Sequence, residues 1–232
     1  MKVLVVIPAY NEEQNIDKVI KNLNDKAPYV DYLIINDCSK DGTEKLCKEN
    51  GYNYISLPIN LGIGGGVQAG YKYALEHNYD IVIQHDGDGQ HDPDYINDVI
   101  EPIKNGQADI VIGSRFIDKQ GFQSSGARRF GINFLSKLIK LCTGTVVKDV
   151  TSGFRAVNRE YIEYYAENYP TDYPEPEAIV EAALRGAKIL EMPVIMRERE
   201  NGVSSINFRR SVYYMIKVSS AILVCWITNR RK

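Results

Sequence analysis

The sequence lacks the features that mark several large classes of protein. Its 232 residues carry a formal net charge of -2, so the chain has no overall basic field to attract nucleic acid. Its four cysteines lie at scattered positions and never form a Cys-x-x-Cys pair. This spacing indicates neither a zinc site nor a disulfide framework, and it suits a reducing compartment.

Long hydrophobic runs are also scarce. The N-terminal segment MKVLVVIPAYNEE has one lysine and a short apolar run, without the length or the cleavage site of a signal peptide. We therefore expect a first β-strand there. The segment 211–228 is apolar, but it contains Lys217 and falls slightly short of the ~20 residues that span a bilayer.

What the sequence does contain is an alternation of short β-branched runs with segments of helical spacing. Hydrophobic residues make up 44% of the chain, which is ample for a large core. The alternation predicts an α/β fold in which helices flank a mostly parallel, Rossmann-like sheet. We predict strands at 3–7, 32–35, 54–57, 81–84 and 110–112, and helices at 12–23, 43–49, 66–76, 95–103, 127–141 and 175–185.

Polar clusters follow the predicted strands, at the edge of a parallel sheet where ligands bind. In HDGDGQHD, the carboxylates of Asp86 and Asp88 can converge beyond the strand. Unpaired carboxylates repel each other and resist desolvation, whereas a hard divalent cation takes oxygen ligands and removes that conflict. Gln90 and His91 are candidates to complete the ligand shell. From these residues alone, a solvated acidic turn that caps the next helix is equally open.

The segment NLGIGGGVQAG, residues 60–70, is a glycine-rich loop that runs into a predicted helix. Such loops at helix starts can cradle phosphate groups. This one matches neither the P-loop pattern nor Gly-x-Gly-x-x-Gly, so a tight connection without a ligand is equally open.

Seven motifs follow one another as they do in family 2 glycosyltransferases: PAYNEE, NDCSKDGT, NLGIGGGVQAG, DGDGQHDP, GSRF, DVTSGFRA and ENGVSS. The chain resembles that family from about residue 2 to about residue 207, and it is most similar to the dolichyl- and polyprenyl-phosphate sugar synthases. The resemblance implies a GT-A fold, a nucleotide-sugar donor, Mg²⁺ or Mn²⁺, and inversion at the anomeric carbon. It divides the chain into a catalytic domain, residues 1–207, and an apolar and basic C-terminal helix, residues 208–232.

The resemblance also assigns the donor site. Asp86, Asp88 and Gln90 match the family's metal and diphosphate motif, where a metal would offset charge on the leaving group. Asn36 stands where the family usually has aspartate, and it keeps an acceptor oxygen. The residues assigned to the nucleotide pocket, to the base or to the wall beside it are Pro8, Tyr10, Glu12, Asp37 and Gly62.

On the acceptor side, Arg115 and Arg129 resemble positions that hold a lipid phosphate, and Arg199 one that faces the donor diphosphate. The planar fork of arginine suits phosphate because it binds two oxygens at once. Asn133 departs from the serine of a related enzyme. In YPEPEAIVEA, Glu177 aligns best with a catalytic helix carboxylate, although both Glu177 and Glu175 also suit a helix N-terminus, where the dipole favours acids.

The C-terminal region predicts a membrane neighbourhood. Between Arg197 and Lys232 the chain has eight lysines and arginines and two glutamates. This pattern favours an amphipathic helix in the membrane interface, while a helix that packs on the core is the alternative. We expect a peripheral protein at the cytoplasmic face of the cell membrane, with a small integral membrane subunit or a second copy as a partner.

The expected function is inverting transfer of a hexose or N-acetylhexosamine from a nucleotide sugar, with uridine favoured, to undecaprenyl or another polyprenyl phosphate. An ionised phosphate needs orientation, whereas a sugar hydroxyl needs a general base. One alternative is therefore transfer to a hydroxyl of a growing cell-wall or capsular glycan. A second is a non-catalytic subunit that binds nucleotide sugar, against which the acids and arginines argue.

Overall fold

The computed structural model describes residues 1–121, 123, 126–197 and 208–229. Within these residues, seven strands form one sheet: β1 (Val3–Ala9), β2 (Asp31–Asn36), β3 (Tyr54–Ser56), β4 (Ile81–Gln84), β5 (Ile110–Ser114), β6 (Arg155–Asn158) and β7 (Ile189–Pro193). The order across the sheet is β3-β2-β1-β4-β6-β5-β7.

The same residues form the helices α1 (Ile16–Lys26), α2 (Thr43–Glu49), α3 (Gly62–Glu76), α4 (Ile96–Lys104), α5 (Gly126–Thr143), α6 (Arg159–Glu167), α7 (Pro174–Leu184) and α8 (Phe208–Asn229). A single 3-10 turn, Pro93–Tyr95, precedes α4. Hydrophobic cores lie on both faces of the sheet. Strand β1 contributes side chains to both cores because its side chains alternate in direction. Leu4 and Val6 pack towards α3, α6 and α7, while Val5 and Ile7 pack towards α1 and α4. The predicted α/β fold with a mostly parallel sheet and flanking helices is confirmed.

One strand runs against the others and brings distant motifs together. Strand β6 pairs antiparallel with both β4 and β5, and Arg155 lies opposite Gln84. The start of β6 therefore lies at the edge where β4 ends. As a result, the TSGF motif just before Arg155 meets the HDGDGQHD motif just after Gln84.

The glycine-rich segment is helical, contrary to the predicted loop. Helix α3 begins at Gly62, four residues before the predicted start, and the glycines allow close packing. A Cβ on Gly64 would lie 2.2 Å from the carbonyl oxygen of Pro170, and one on Gly70 would lie 2.3 Å from Cγ1 of Val6. These glycines are explained by helix packing without any bound phosphate.

Helix α8 packs on α5 and α7 and contributes to the core. Val218 and Ile222 are buried there, whereas Ile216 and Val224 are 64% and 60% exposed. Helix α5 also has exposed apolar side chains: Phe130, Phe134 and Leu141. Among the described helices, none combines the length and hydropathy needed to cross a bilayer.

Candidate active site

The centre of the candidate site is the loop after β4. All four residues of β4 are buried, while Asp86 and Asp88 beyond it are partly exposed. The backbone N–H of Gln90 donates to Oδ1 of Asp88 at 3.0 Å, which fixes the turn. A Cβ on Gly87 would lie 3.0 Å from the carbonyl oxygen of Pro8, so the loops after β1 and β4 are in contact. The motifs that follow β1 and β4, PAYNEE and HDGDGQHD, are thus brought together.

Gln90 connects this loop to the chain after β7. Its side-chain Nε2 donates to the carbonyl oxygen of Arg197 at 3.2 Å, and its own carbonyl accepts from the Arg197 N–H at 2.9 Å. The Arg197 guanidinium pairs with Asp92 at 2.6 Å, and Lys26 pairs with the same carboxylate at 2.8 Å. The predicted residue Arg199, two positions after Arg197, lies outside the described residues.

The side chains of this loop fit a metal ion that takes some ligands from the protein and the others from a bound substrate. Across the described parts of the chain, no group of three or more His, Cys, Asp or Glu residues is arranged to enclose an ion. Asp86 and Asp88 are two partly exposed carboxylates, and Gln90 offers at most its Oε1 because Nε2 binds Arg197. Mg²⁺ commonly binds one or two carboxylates and takes its other ligands from water and phosphate oxygens.

The predicted nucleotide residues Asp37 and Gly62 are in direct contact. The Asp37 carboxylate accepts from the backbone N–H groups of Leu61 at 2.7 Å and Gly62 at 2.9 Å, at the start of α3. A carboxylate satisfies unpaired donors at a helix N-terminus and interacts favourably with the dipole. Asp37 is only 4% exposed, so this capping contact accounts for much of its environment.

The residues after β1 differ in exposure. Tyr10 is 43% exposed, which leaves a ring surface at the edge of the sheet. Glu12 is 9% exposed, and its Oε2 accepts from the amide of Asn15 at 2.6 Å. Its backbone N–H donates to Oγ1 of Thr43 at 2.9 Å, so Glu12 ties this loop to α2.

The two predicted acceptor arginines lie on the same aromatic ring. The Arg115 guanidinium lies 5.1 Å and the Arg129 guanidinium 3.4 Å from the ring centre of Phe116. Arg115 is also bound by fully buried Asp149, with Nε and Nη2 donating at 2.7 and 2.6 Å. Sequence reasoning assigned no role to Asp149, since nothing in DVTSGF shows which cation it pairs with.

Arg129 has the weaker set of protein partners. Its Nη1 is buried and has no hydrogen-bond partner among the described residues. Burial lowers the pKa of Arg129, and the cation of Arg115 adds to this effect while Asp149 opposes it. Buried polar groups are normally hydrogen-bonded. The arrangement therefore suits an anion from outside the protein.

The two acids of α7 have different neighbours. They are two residues apart, which turns their side chains by about 200° on a helix. Glu177 lies in a cavity of about 320 Å³ that Asp172 and Lys217 also line, and those two residues form an ion pair. It therefore faces α8, and the structure does not bring it to the Asp86 loop; its catalytic role stays a prediction.

Glu175 is the acid that faces the Asp86 loop. Burial raises the pKa of Glu175, the Asp86 carboxylate raises it further, and the guanidinium of Arg155 opposes the shift. Arg155 is 2% exposed and donates to the carbonyl oxygens of Ser152 at 2.6 Å and Glu175 at 3.2 Å. A buried arginine thus joins the start of β6 to the start of α7.

Known proteins match this chain over most of its length. The model of glycosyl transferase family 2 matches residues 4–165. The undecaprenyl-phosphate mannosyltransferase of Micrococcus luteus is 28% identical over 221 residues, which cover 89% of this chain and 88% of that protein. The UDP-N-acetylglucosamine–dolichyl-phosphate N-acetylglucosaminyltransferase of Methanococcus voltae is 34% identical over 212 residues, which cover 83% of this chain and 84% of that protein.

Solved structures share the fold. Glucosyl-3-phosphoglycerate synthase from Mycobacterium tuberculosis, in complex with Mn²⁺, uridine diphosphate and phosphoglyceric acid, matches with a TM-score of 0.70 and 19% identity. The match covers 98% of this chain and 78% of that one. The GT-A fold and the resemblance inferred from the motifs are thereby confirmed. The chain belongs to glycosyltransferase family 2.

Proposed function

We propose that the protein is an inverting glycosyltransferase that moves a hexose or N-acetylhexosamine from a nucleotide sugar, a uridine diphosphate sugar by preference, to a polyprenyl phosphate. The observation that supports a phosphate acceptor is the pair of cations, Arg115 and Arg129, on the ring of Phe116. The buried Nη1 of Arg129 has no hydrogen-bond partner among the described residues, so it can bind a phosphate oxygen. The names of the Micrococcus luteus and Methanococcus voltae relatives, which specify lipid-phosphate acceptors, support it.

In this proposal the donor lies at the end of β4. Asp86 and Asp88 would hold Mg²⁺ or Mn²⁺, which would supply Lewis-acid stabilisation of the leaving group. Asp37, Gly62, Pro8, Tyr10 and Glu12 form the nucleotide side of the site. Arg199 is assigned to the diphosphate by its motif alone.

On the acceptor side, Arg129 binds the phosphate, and Arg115 fixes its direction of approach. The Asp149 carboxylate occupies two donors of Arg115, so that guanidinium is rigid and keeps a fixed orientation. An acceptor phosphate oxygen is ionised at pH 7 and can attack the anomeric carbon without losing a proton. Orientation by the arginines then replaces general-base catalysis.

The acceptor arginine lies beside exposed apolar surface. Arg129 precedes Phe130, which is 77% exposed, on the same helix that exposes Phe134 and Leu141. Helix α8 adds Ile216 and Val224. We propose that these side chains enter the interfacial layer of the membrane, at its cytoplasmic face, where the phosphate of a polyprenyl lipid lies. A small integral membrane subunit or a second copy remains part of the proposal.

A panel of nucleotide sugars tests this function. Each is supplied to the protein with Mg²⁺ and vesicles that contain undecaprenyl phosphate, and release of nucleoside diphosphate is followed. We expect one or two donors to react only when the lipid phosphate is present. Turnover that does not depend on the lipid phosphate but requires a glycan would contradict the proposed acceptor.

Transfer to a sugar hydroxyl is the second candidate, and one observation favours it. A hydroxyl needs a general base, and Glu175 is a carboxyl with a raised pKa close to Asp86. The same panel, with oligosaccharides in place of the lipid, separates the two candidates.

A further inference from the structure

We infer that His91 is a positioning residue that orients the Asp86 carboxylate towards the donor's cation. The inference rests on the proposed function only in that Asp86 is taken as a ligand of a diphosphate-bound divalent cation. It concerns a side chain that was named above only as a candidate metal ligand and that has no role in the proposed function.

The hydrogen bonds determine which nitrogen of His91 carries the proton. The backbone N–H of Asp86 donates to Nδ1 of His91 at 2.9 Å. A backbone N–H can only donate, so Nδ1 has no proton and the proton of the neutral ring is on Nε2. Nε2 lies 3.5 Å from Oδ2 of Asp86. One imidazole ring thus contacts both the backbone and the carboxylate of the same residue.

The ring itself is held in place on several sides. His91 is 3% exposed, its centre lies 5.1 Å from that of Phe154, and it meets the ring of His85 edge-on at 5.3 Å. Because Nδ1 accepts from the Asp86 N–H, the ring is uncharged and does not compete with a metal ion for the Asp86 carboxylate.

A glycine also lies against the Asp86 carboxylate. A Cβ on Gly153 would lie 3.0 Å from Oδ1 and 3.2 Å from Oδ2 of Asp86. The carboxylate is therefore in close contact with both the His91 ring and the bare Cα of Gly153. Its orientation is fixed before any ligand arrives, which reduces the free-energy cost of ordering it on binding.

Residues that orient a metal ligand can be recognised by the effect of their loss on metal affinity. Their loss typically reduces metal affinity about 10- to 100-fold because the ligand is no longer oriented. A residue that only filled space would instead lower stability without a specific effect on metal-dependent binding. This difference defines the experiment.

The experiment measures uridine diphosphate binding by calorimetry, once with Mn²⁺ and once with EDTA. For His91→Phe, which keeps a ring beside Phe154 but has no nitrogen, we expect affinity in Mn²⁺ to fall by about 10- to 100-fold. Affinity in EDTA should stay as in the wild type. His91→Asn keeps an acceptor for the Asp86 N–H, so its affinity in Mn²⁺ should lie between those of the wild type and His91→Phe. His77→Phe, at an exposed position stacked on Tyr73, is the matched control.

A second variant disturbs the same carboxylate through a different contact. Gly153→Ala adds a methyl group against Oδ1 and should reproduce the selective loss in Mn²⁺. The inference would be overturned if His91→Phe bound uridine diphosphate in Mn²⁺ as tightly as the wild type. It would also be overturned if His91→Asn and Gly153→Ala lost the same affinity with Mn²⁺ as with EDTA. If the wild type itself binds no uridine diphosphate in Mn²⁺, the proposed donor site fails, which is a different result.

Discussion

Glu175 and Glu177 are chemically identical and two positions apart, yet their surroundings differ. Glu175 faces the Asp86 loop and Arg155, whereas Glu177 faces Asp172 and Lys217. The sequence shows that α7 begins with acids, but not which face is turned to the sheet. That direction depends on how α7 packs on α8 and α5, which is tertiary information.

The first prediction concerns these two acids. In transfer to a sugar hydroxyl, Glu175→Gln should lower kcat about 100-fold because the general base is lost, whereas transfer to an ionised lipid phosphate should stay near the wild-type rate. Glu177→Gln is the matched control and should stay near the wild type. Both kcat values are measured at saturating donor. A larger loss in Glu177→Gln would support the catalytic role assigned to Glu177 from the sequence.

The second prediction concerns the acceptor phosphate. Arg129→Ala removes a charge-assisted hydrogen bond, which is typically worth about 1.5–3 kcal/mol, so KM for the lipid phosphate should rise by roughly 10- to 100-fold. Affinity for uridine diphosphate should not change. Lys137→Ala, an exposed cation further along the same helix, is the control. Weaker nucleotide binding in Arg129→Ala would assign this residue to the donor instead.

At the scale of elements, the strands and helices of the first half follow the predicted pattern closely, because each buried strand is a run of apolar residues. Strand β6, helix α6 and strand β7 were not predicted. Strand β6 has only four residues and begins with Arg155, whose burial depends on carbonyl oxygens from Ser152 and Glu175. Such long-range compensation leaves no periodic signal in the sequence.

The third prediction tests the role of the glycines in α3. Gly70→Ala puts a methyl group 2.3 Å from Cγ1 of Val6 in the central strand, so we expect a loss of about 1–3 kcal/mol in the free energy of unfolding. Gly126→Ala, with nothing within 4 Å of the added Cβ, should change it by less than about 0.5 kcal/mol. Urea unfolding measures both variants. Equal stability would show that α3 is not in tight contact with β1.

At the scale of the whole molecule, α8 has two roles in its described part. Val218, Ile222 and Cys225 are buried in the core shared with α5 and α7, while Tyr213, Ile216 and Val224 are exposed. The boundary at residue 208 therefore remains a proposal, and deletion of α8 would uncover the core. Point substitutions on its exposed side are the sharper test.

The fourth prediction concerns attachment to lipid. Phe130→Asp with Ile216→Asp should reduce sedimentation with anionic vesicles, because each change removes apolar burial worth about 1.5–3 kcal/mol. Binding of uridine diphosphate should be kept. Tyr29→Asp, which is 57% exposed in the turn between α1 and β2, is the control. Unchanged sedimentation of the double variant would place the membrane contact elsewhere.

The chemical bond in the product tests the central claim most directly. After reaction of the preferred nucleotide sugar with undecaprenyl phosphate, the lipid product is isolated and examined by phosphorus NMR and mild acid hydrolysis. The account predicts a phosphodiester between the lipid phosphate and the anomeric carbon, cleaved by mild acid to free sugar. A new glycosidic bond to a sugar hydroxyl, stable under the same conditions, would contradict it.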